Sequence, residues 1–67
     1  MNIKDKYGKE ISHDQVVQFQ DEQGRTRSGK VIGAMFGKVT LDVLDQYGNT
    51  IEYVTPEAIE TDHSKMA

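Results

Sequence analysis

Apolar and polar residues alternate most cleanly over residues 39–45. Val39, Leu41 and Val43 fall on one side, Thr40 and Asp42 on the other, and Leu44 interrupts the polar face. A period of two describes a strand with one face toward a core and one toward water. In the arm before it, Gly29, Val31, Gly33 and Met35 alternate with Lys30, Ile32, Ala34 and Phe36, so both faces are partly apolar. That pattern predicts a curved central strand, and a glycine within it, Gly33, marks a bulge or bend. The two arms fold back on each other at Phe36-Gly37.

The same reading extends in both directions. Val17 and Phe19 alternate with Gln18 and Gln20 as a first strand, and Asp21-Glu22-Gln23-Gly24 is a turn signal before Arg25-Thr26-Arg27-Ser28 leads into the hairpin. A D-x-Y-G-x-x-I pattern occurs twice, at residues 5–11 and 45–51. It reads as one turn chemistry used twice: aspartate accepts from backbone amides ahead of it, glycine takes positive φ, and isoleucine re-enters the core. Ile51 and Tyr53 share one face of a fourth strand. Thr55-Pro56-Glu57-Ala58 suits a single helical turn, with threonine as cap and proline in the first position. Ile59 then begins a short last strand.

The expected fold is therefore all-β: a small barrel of about five antiparallel strands with one helical turn before the last. Its core is Val17, Phe19, Val31, Val39, Leu41, Val43, Ile51 and Ile59, and Tyr53 is a further candidate. Residues 1–13 read as an N-terminal arm or short hairpin, 14–60 as the barrel and 61–67 as a flexible tail. The 67 residues make one domain, and a chain of this size buries only about 60% of the surface its unfolded form exposes. It contains no cysteine, so disulfides and thiolate metal sites are excluded and packing or association must supply stability. With no long apolar run and no hydrophobic signal segment, the expected location is cytoplasmic.

Charge changes the picture by its layout. The net charge is −3, yet residues 23–41 carry Arg25, Arg27, Lys30 and Lys38 with no acid, between two acidic flanks. This island is a candidate patch for a polyanion.

The succession of short strands, with D-x-x-V-x-F at residues 14–19, G-x-V at 29–31, V-x-L-x-V at 39–43 and a V-x-P-x-x-I closure at 54–59, resembles the SH3-like small barrels. Among these it looks like the KOW and Tudor-like modules, whose one-turn helix precedes the final strand. The lead-in at residues 5–11 is similar to those of small phage or prophage proteins. Gly29-Lys30-Val31-Ile32-Gly33 and Ala58-Ile59-Glu60 are similar to the G-x-I-V-G strand and A-L-E ending of the type II dihydrofolate reductases. Where those enzymes carry a V-Q-I-Y pore segment, this chain reads Ile51-Glu52-Tyr53-Val54. The resemblance implies architecture more than activity.

No catalytic, metal or cofactor motif stands out. His13 and His63 lack a second ligand at metal spacing, and Asp42, Asp45 and Glu52 are acids that converge only if their strands are neighbours. Tyr7, Phe36 and Tyr47 fall at turns, where a ring either plugs the barrel end or meets a partner. The expectation is a non-catalytic adaptor domain without cofactor. It recognises a protein partner through rim loops, with Tyr7, Phe36, Tyr47, Arg25, Arg27, Lys30 and Lys38 as candidate contacts. Two alternatives stand beside it: a KOW-like nucleic-acid module using the basic island, and an oligomeric reductase. Ile32, Ala34, Phe36 and Leu44 fall on outward faces of the predicted hairpin, an apolar patch that adds the expectation of a homo-oligomer, and no membrane contact is expected.

Overall fold

The computed structural model describes residues 2–61. Five strands form one antiparallel sheet in the order β4-β3-β2-β1-β5: β1 is Val16–Gln20, β2 Thr26–Met35, β3 Lys38–Asp45, β4 Gly48–Val54 and β5 Ile59–Glu60. A 3₁₀ turn, Pro56–Ala58, precedes β5. Proline opens it as expected, but Thr55 makes no side-chain cap bond; the Thr55 carbonyl accepts from Ala58 N–H at 3.0 Å instead. No helix among the described residues is long and apolar enough to cross a membrane.

β2 is shared between two halves of the sheet. Its first part pairs with β1, from Gln20↔Thr26 to Val16↔Lys30, and its second with β3, from Lys30↔Asp42 to Met35↔Lys38. The register shifts between Val31 and Gly33, which is the bulge that Gly33 predicts. Gly29 has a different task. A Cβ there would stand 3.0 Å from Val43 Cγ2 and 3.2 Å from Leu41 Cβ, so the absent side chain is what lets β2 lie against the core face of β3. β4 and β5 are not paired with each other among the described residues, so the sheet curls without closing.

Ile11, Val17, Phe19, Val31, Val39, Leu41, Val43, Val54 and Ile59 form the core. Seven of these are among the residues expected there; Ile51 is not, being 48% exposed, and Tyr53 also faces solvent. The two-residue turn after Asp45 sets Asp45 opposite Gly48, and from there Glu52 falls opposite Leu41 and Val54 opposite Val39. Directly opposed residues share a face, so Thr50, Glu52 and Val54 take the core side, Thr50 at its exposed end, while the more apolar Ile51 and Tyr53 point out.

Residues 3–11 belong to the folded body. The backbones of Lys4 and Glu10 form an antiparallel β-bridge, Ile11 N–H donates to the Ile3 carbonyl at 2.8 Å, and Lys6 N–H donates to the Ile59 carbonyl at 3.1 Å. Asp5 fastens this lead-in to the far end of the chain. Its Oδ2 accepts from Thr61 N–H at 2.9 Å and the Thr61 hydroxyl at 2.7 Å, and its Oδ1 from the amides of Tyr7 and Lys9. Thr61 is thus buried, and the remainder of the expected tail, with His63, lies outside the described residues.

Candidate groove beside Arg27

Three turns share one local chemistry. Asp5, Asp21 and Asp45 each accept an amide two residues on, at 2.9, 2.9 and 2.8 Å, and each is followed at the third position by a glycine with φ of 79°, 78° and 112°. The second of these, Asp21-Glu22-Gln23-Gly24, lacks the tyrosine of the other two, which hides the repeat in the sequence. Asp21 also accepts the Arg25 N–H at 2.9 Å and its Nε at 3.2 Å. The Arg25 amide, followed by Gln23 and the Arg25 charge, outweighs the slight desolvation and holds the Asp21 carboxyl below its ordinary range. The β1–β2 loop is therefore a fixed wall.

Beyond the Lys30↔Asp42 pair β2 no longer pairs with β3, and Arg27 lies in the part of β2 that pairs with β1 alone. Arg27 lies opposite Phe19 on β1, hence on the core-facing side, with its guanidinium 5.9 Å from the Phe19 ring centre. It reaches Glu52 Oε2 at 3.4 Å and Asp45 Oδ2 at 3.9 Å. All three side chains are partly buried. Two adjoining hollows, of about 520 and 620 Å³, share Arg25, Arg27 and Glu52; the first runs along Phe19, Tyr53 and Val54, the second past Asp45 and Tyr47. Together they make an open groove with a charge-paired floor and tyrosines on its rim.

The seven candidate contacts do not form one patch. Arg25 and Arg27 meet at the groove and Tyr47, 90% exposed, stands at its edge. Lys30 lies 4.0 Å from Asp14 Oδ1 on the opposite face of β2 from Arg27. Lys38, at the start of β3, has no carboxylate within 4 Å among the described residues. Tyr7 is exposed in the lead-in turn with Lys6 Nζ 5.4 Å from its ring centre. Phe36 and Tyr47 terminate opposite ends of β3, about 25 Å apart at 3.3 Å per residue, so they cannot enclose one ligand. Nor do the three acids converge: Asp45 and Glu52 meet on Arg27, whereas Asp42 faces outward and accepts from Asn49 Nδ2 at 2.9 Å.

Phe36 is unusual on two counts. With Gly37 it forms a two-residue turn at φ 55° and 77°, the mirror-image type I′ geometry that suits Asn-Gly and costs a bulky residue roughly 1–2 kcal/mol. Its ring is 93% exposed and packs on nothing that offsets this cost. Phe36→Asn is expected to raise the unfolding free energy by about 1 kcal/mol. Chemical denaturation checks this, and a less stable variant would mean that the ring supports the fold.

No family model matches the chain, and no curated protein or solved structure is significantly similar to it.

Proposed function

We propose that the chain is an SH3-like barrel serving as a small non-catalytic protein-binding module, and that a partner segment lies across the groove between residues 21–25 and β4. Support for the architecture comes from the strand order and the 3₁₀ turn ahead of β5, the feature that KOW and Tudor-like modules share. The observation that carries the binding role is the groove itself. Arg27 is neutralised on its floor by Glu52 and Asp45, while Tyr47 and Tyr53 expose large rings with polar tips at its rim. Tyrosines at the edge of a preorganised groove are the usual anchors of protein interfaces, because they bury much area at small entropic cost.

The same pairing weakens the nucleic-acid reading. Arg25, Arg27 and Lys30 each lie within 4.0 Å of a carboxylate, and phosphate binding depends on cations free to displace counterions. The reductase reading loses support because Ile51 and Tyr53 face outward and Glu52 is held by Arg27.

Tyr47→Ser removes an exposed ring without touching the core. In quantitative capture from the native host, it is expected to reduce recovery of the specific partner at least about tenfold, the scale of an interface anchor. Undiminished capture would refute the groove as the binding surface. Tight binding of single-stranded RNA or duplex DNA that survives physiological salt would replace the protein-binding reading with the nucleic-acid one.

A further inference from the structure

A sheet has two edges, and here they are treated differently. β5 is two residues long, and the lead-in covers it: Lys6 N–H donates to the Ile59 carbonyl, and Asp5 holds Thr61 just beyond. β4 is seven residues long and, among the described residues, pairs with β3 alone, in an unbroken register from Asp45↔Gly48 to Val39↔Val54. Its sequence, GNTIEYV, has no lysine, arginine or proline and no bulge. Those are among the devices by which edge strands avoid pairing with another chain; of the others β4 carries one, the inward-facing Glu52, whose charge is paired with Arg27 at 3.4 Å. On its outer face Ile51 and Tyr53 are exposed, with Leu44 of β3 exposed beside them.

We propose that β4 pairs antiparallel with β4 of a second copy of this chain, centred on Ile51, to give a continuous ten-stranded sheet. The occupant follows from the edges: with β4 the one uncovered edge among the described residues, there is one place to add a strand, so self-pairing closes as a two-fold dimer and does not propagate. Charge and length select the register. Ile51 is the middle residue of Gly48–Val54, and centring there pairs all seven residues, Gly48 with Val54, Asn49 with Tyr53, and Thr50 with Glu52. Ile51 meets its own counterpart across the axis. Centring on Glu52 instead would set two carboxylates directly opposite, which is destabilising, and would leave Gly48 and Asn49 without partners on β4. The inference rests on the backbone edge of β4 and on Ile51, which lines neither hollow of the groove, although Tyr53 borders both surfaces.

The chain has no cysteine, so a single introduced thiol reports the register. Residues opposed on an antiparallel pair have Cα atoms about 4.5–5.5 Å apart, within the span of a disulfide. Ile51→Cys is expected to give a covalent dimer on mild oxidation. Tyr53→Cys, whose copies stand about 13 Å apart at 3.3 Å per residue, is expected to do so at least about tenfold more slowly. Sedimentation of the unmodified protein is expected to show a concentration-dependent dimer with no larger species. Ile51→Lys, which opposes two ammonium groups on the axis at an exposed position, is expected to be monomeric, with a melting temperature that is independent of concentration and equal to that of the wild type at dilutions where the wild type is monomeric. A monomer at all concentrations, equal cross-linking of the two thiols, an undiminished Ile51→Lys dimer, or growth into longer assemblies would each overturn the proposal.

Discussion

Leu41→Ala is expected to lower the unfolding free energy by about 2–5 kcal/mol, the range for truncating a buried leucine. The cost has a transfer part and a cavity part, and the second depends on whether the surroundings can collapse. Here they cannot do so freely. Leu41 sits at the centre of β3, opposite Val31 on one side and Glu52 on the other, and both neighbours are fixed by backbone ladders. Gly29 already brings β2 as close to Leu41 as a missing Cβ allows. A domain of this length has a total stability of roughly 3–10 kcal/mol, so the variant would lose a large share of it. Urea unfolding measures the effect; a midpoint barely displaced, with an unchanged slope, would contradict the packing.

Asp5→Ala is expected to cost about 2–4 kcal/mol, although no apolar contact is lost. Four donors, the amides of Tyr7, Lys9 and Thr61 and the Thr61 hydroxyl, lose their acceptor. An orphaned buried donor costs about 1–3 kcal/mol, and the lower end applies where water reaches part of the site. The same contacts set a pH dependence. Burial alone would raise the Asp5 carboxyl, but the amide and hydroxyl of Thr61 and the amides of Lys9 and Tyr7 outweigh it, and the group titrates below its ordinary value of 3.8. A carboxyl with a depressed folded pKa contributes fully above its unfolded pKa, and that contribution fades as pH falls through the folded one. The wild type is therefore expected to lose stability below about pH 4, more steeply than Asp5→Asn, in acid titrations followed by circular dichroism. Identical acid profiles would show that Asp5 carries no linkage.

The central hairpin was legible because its determinants are local. The alternation through Val39, Leu41 and Val43, the bulge at Gly33 and the reversal at Phe36-Gly37 can all be read within a few residues. Ile51 shows where that stops. D-x-Y-G-x-x-I occurs twice, yet Ile11 is buried and Ile51 is not. In the first turn Asp5 N–H reaches the Lys9 carbonyl and Ile11 pairs with Ile3; in the second Asp45 stands opposite Gly48, and Ile51 opposite Asp42. One residue more in the loop reverses which face every later side chain takes. The groove was half legible for a similar reason. Arg25, Arg27 and Tyr47 announce themselves by type, but that Arg27 turns inward, and that Asp45 and Glu52 but not Asp42 receive it, depends on pairings between strands.

The clasp between Asp5 and Thr61 also bears on the order in which the chain assembles. The Asn49–Asp42 hydrogen bond on the β3–β4 hairpin closes a separation of 7 residues, whereas the clasp closes 56. Each doubling of a flexible loop adds about 0.6 kcal/mol of closure entropy, so a bond three doublings longer is disfavoured by roughly 2 kcal/mol until intervening structure shortens the path. The meander of β2, β3 and β4 provides that shortening. The clasp then stabilises a state already assembled, and weakening it hastens unfolding while leaving the rate of folding nearly unchanged.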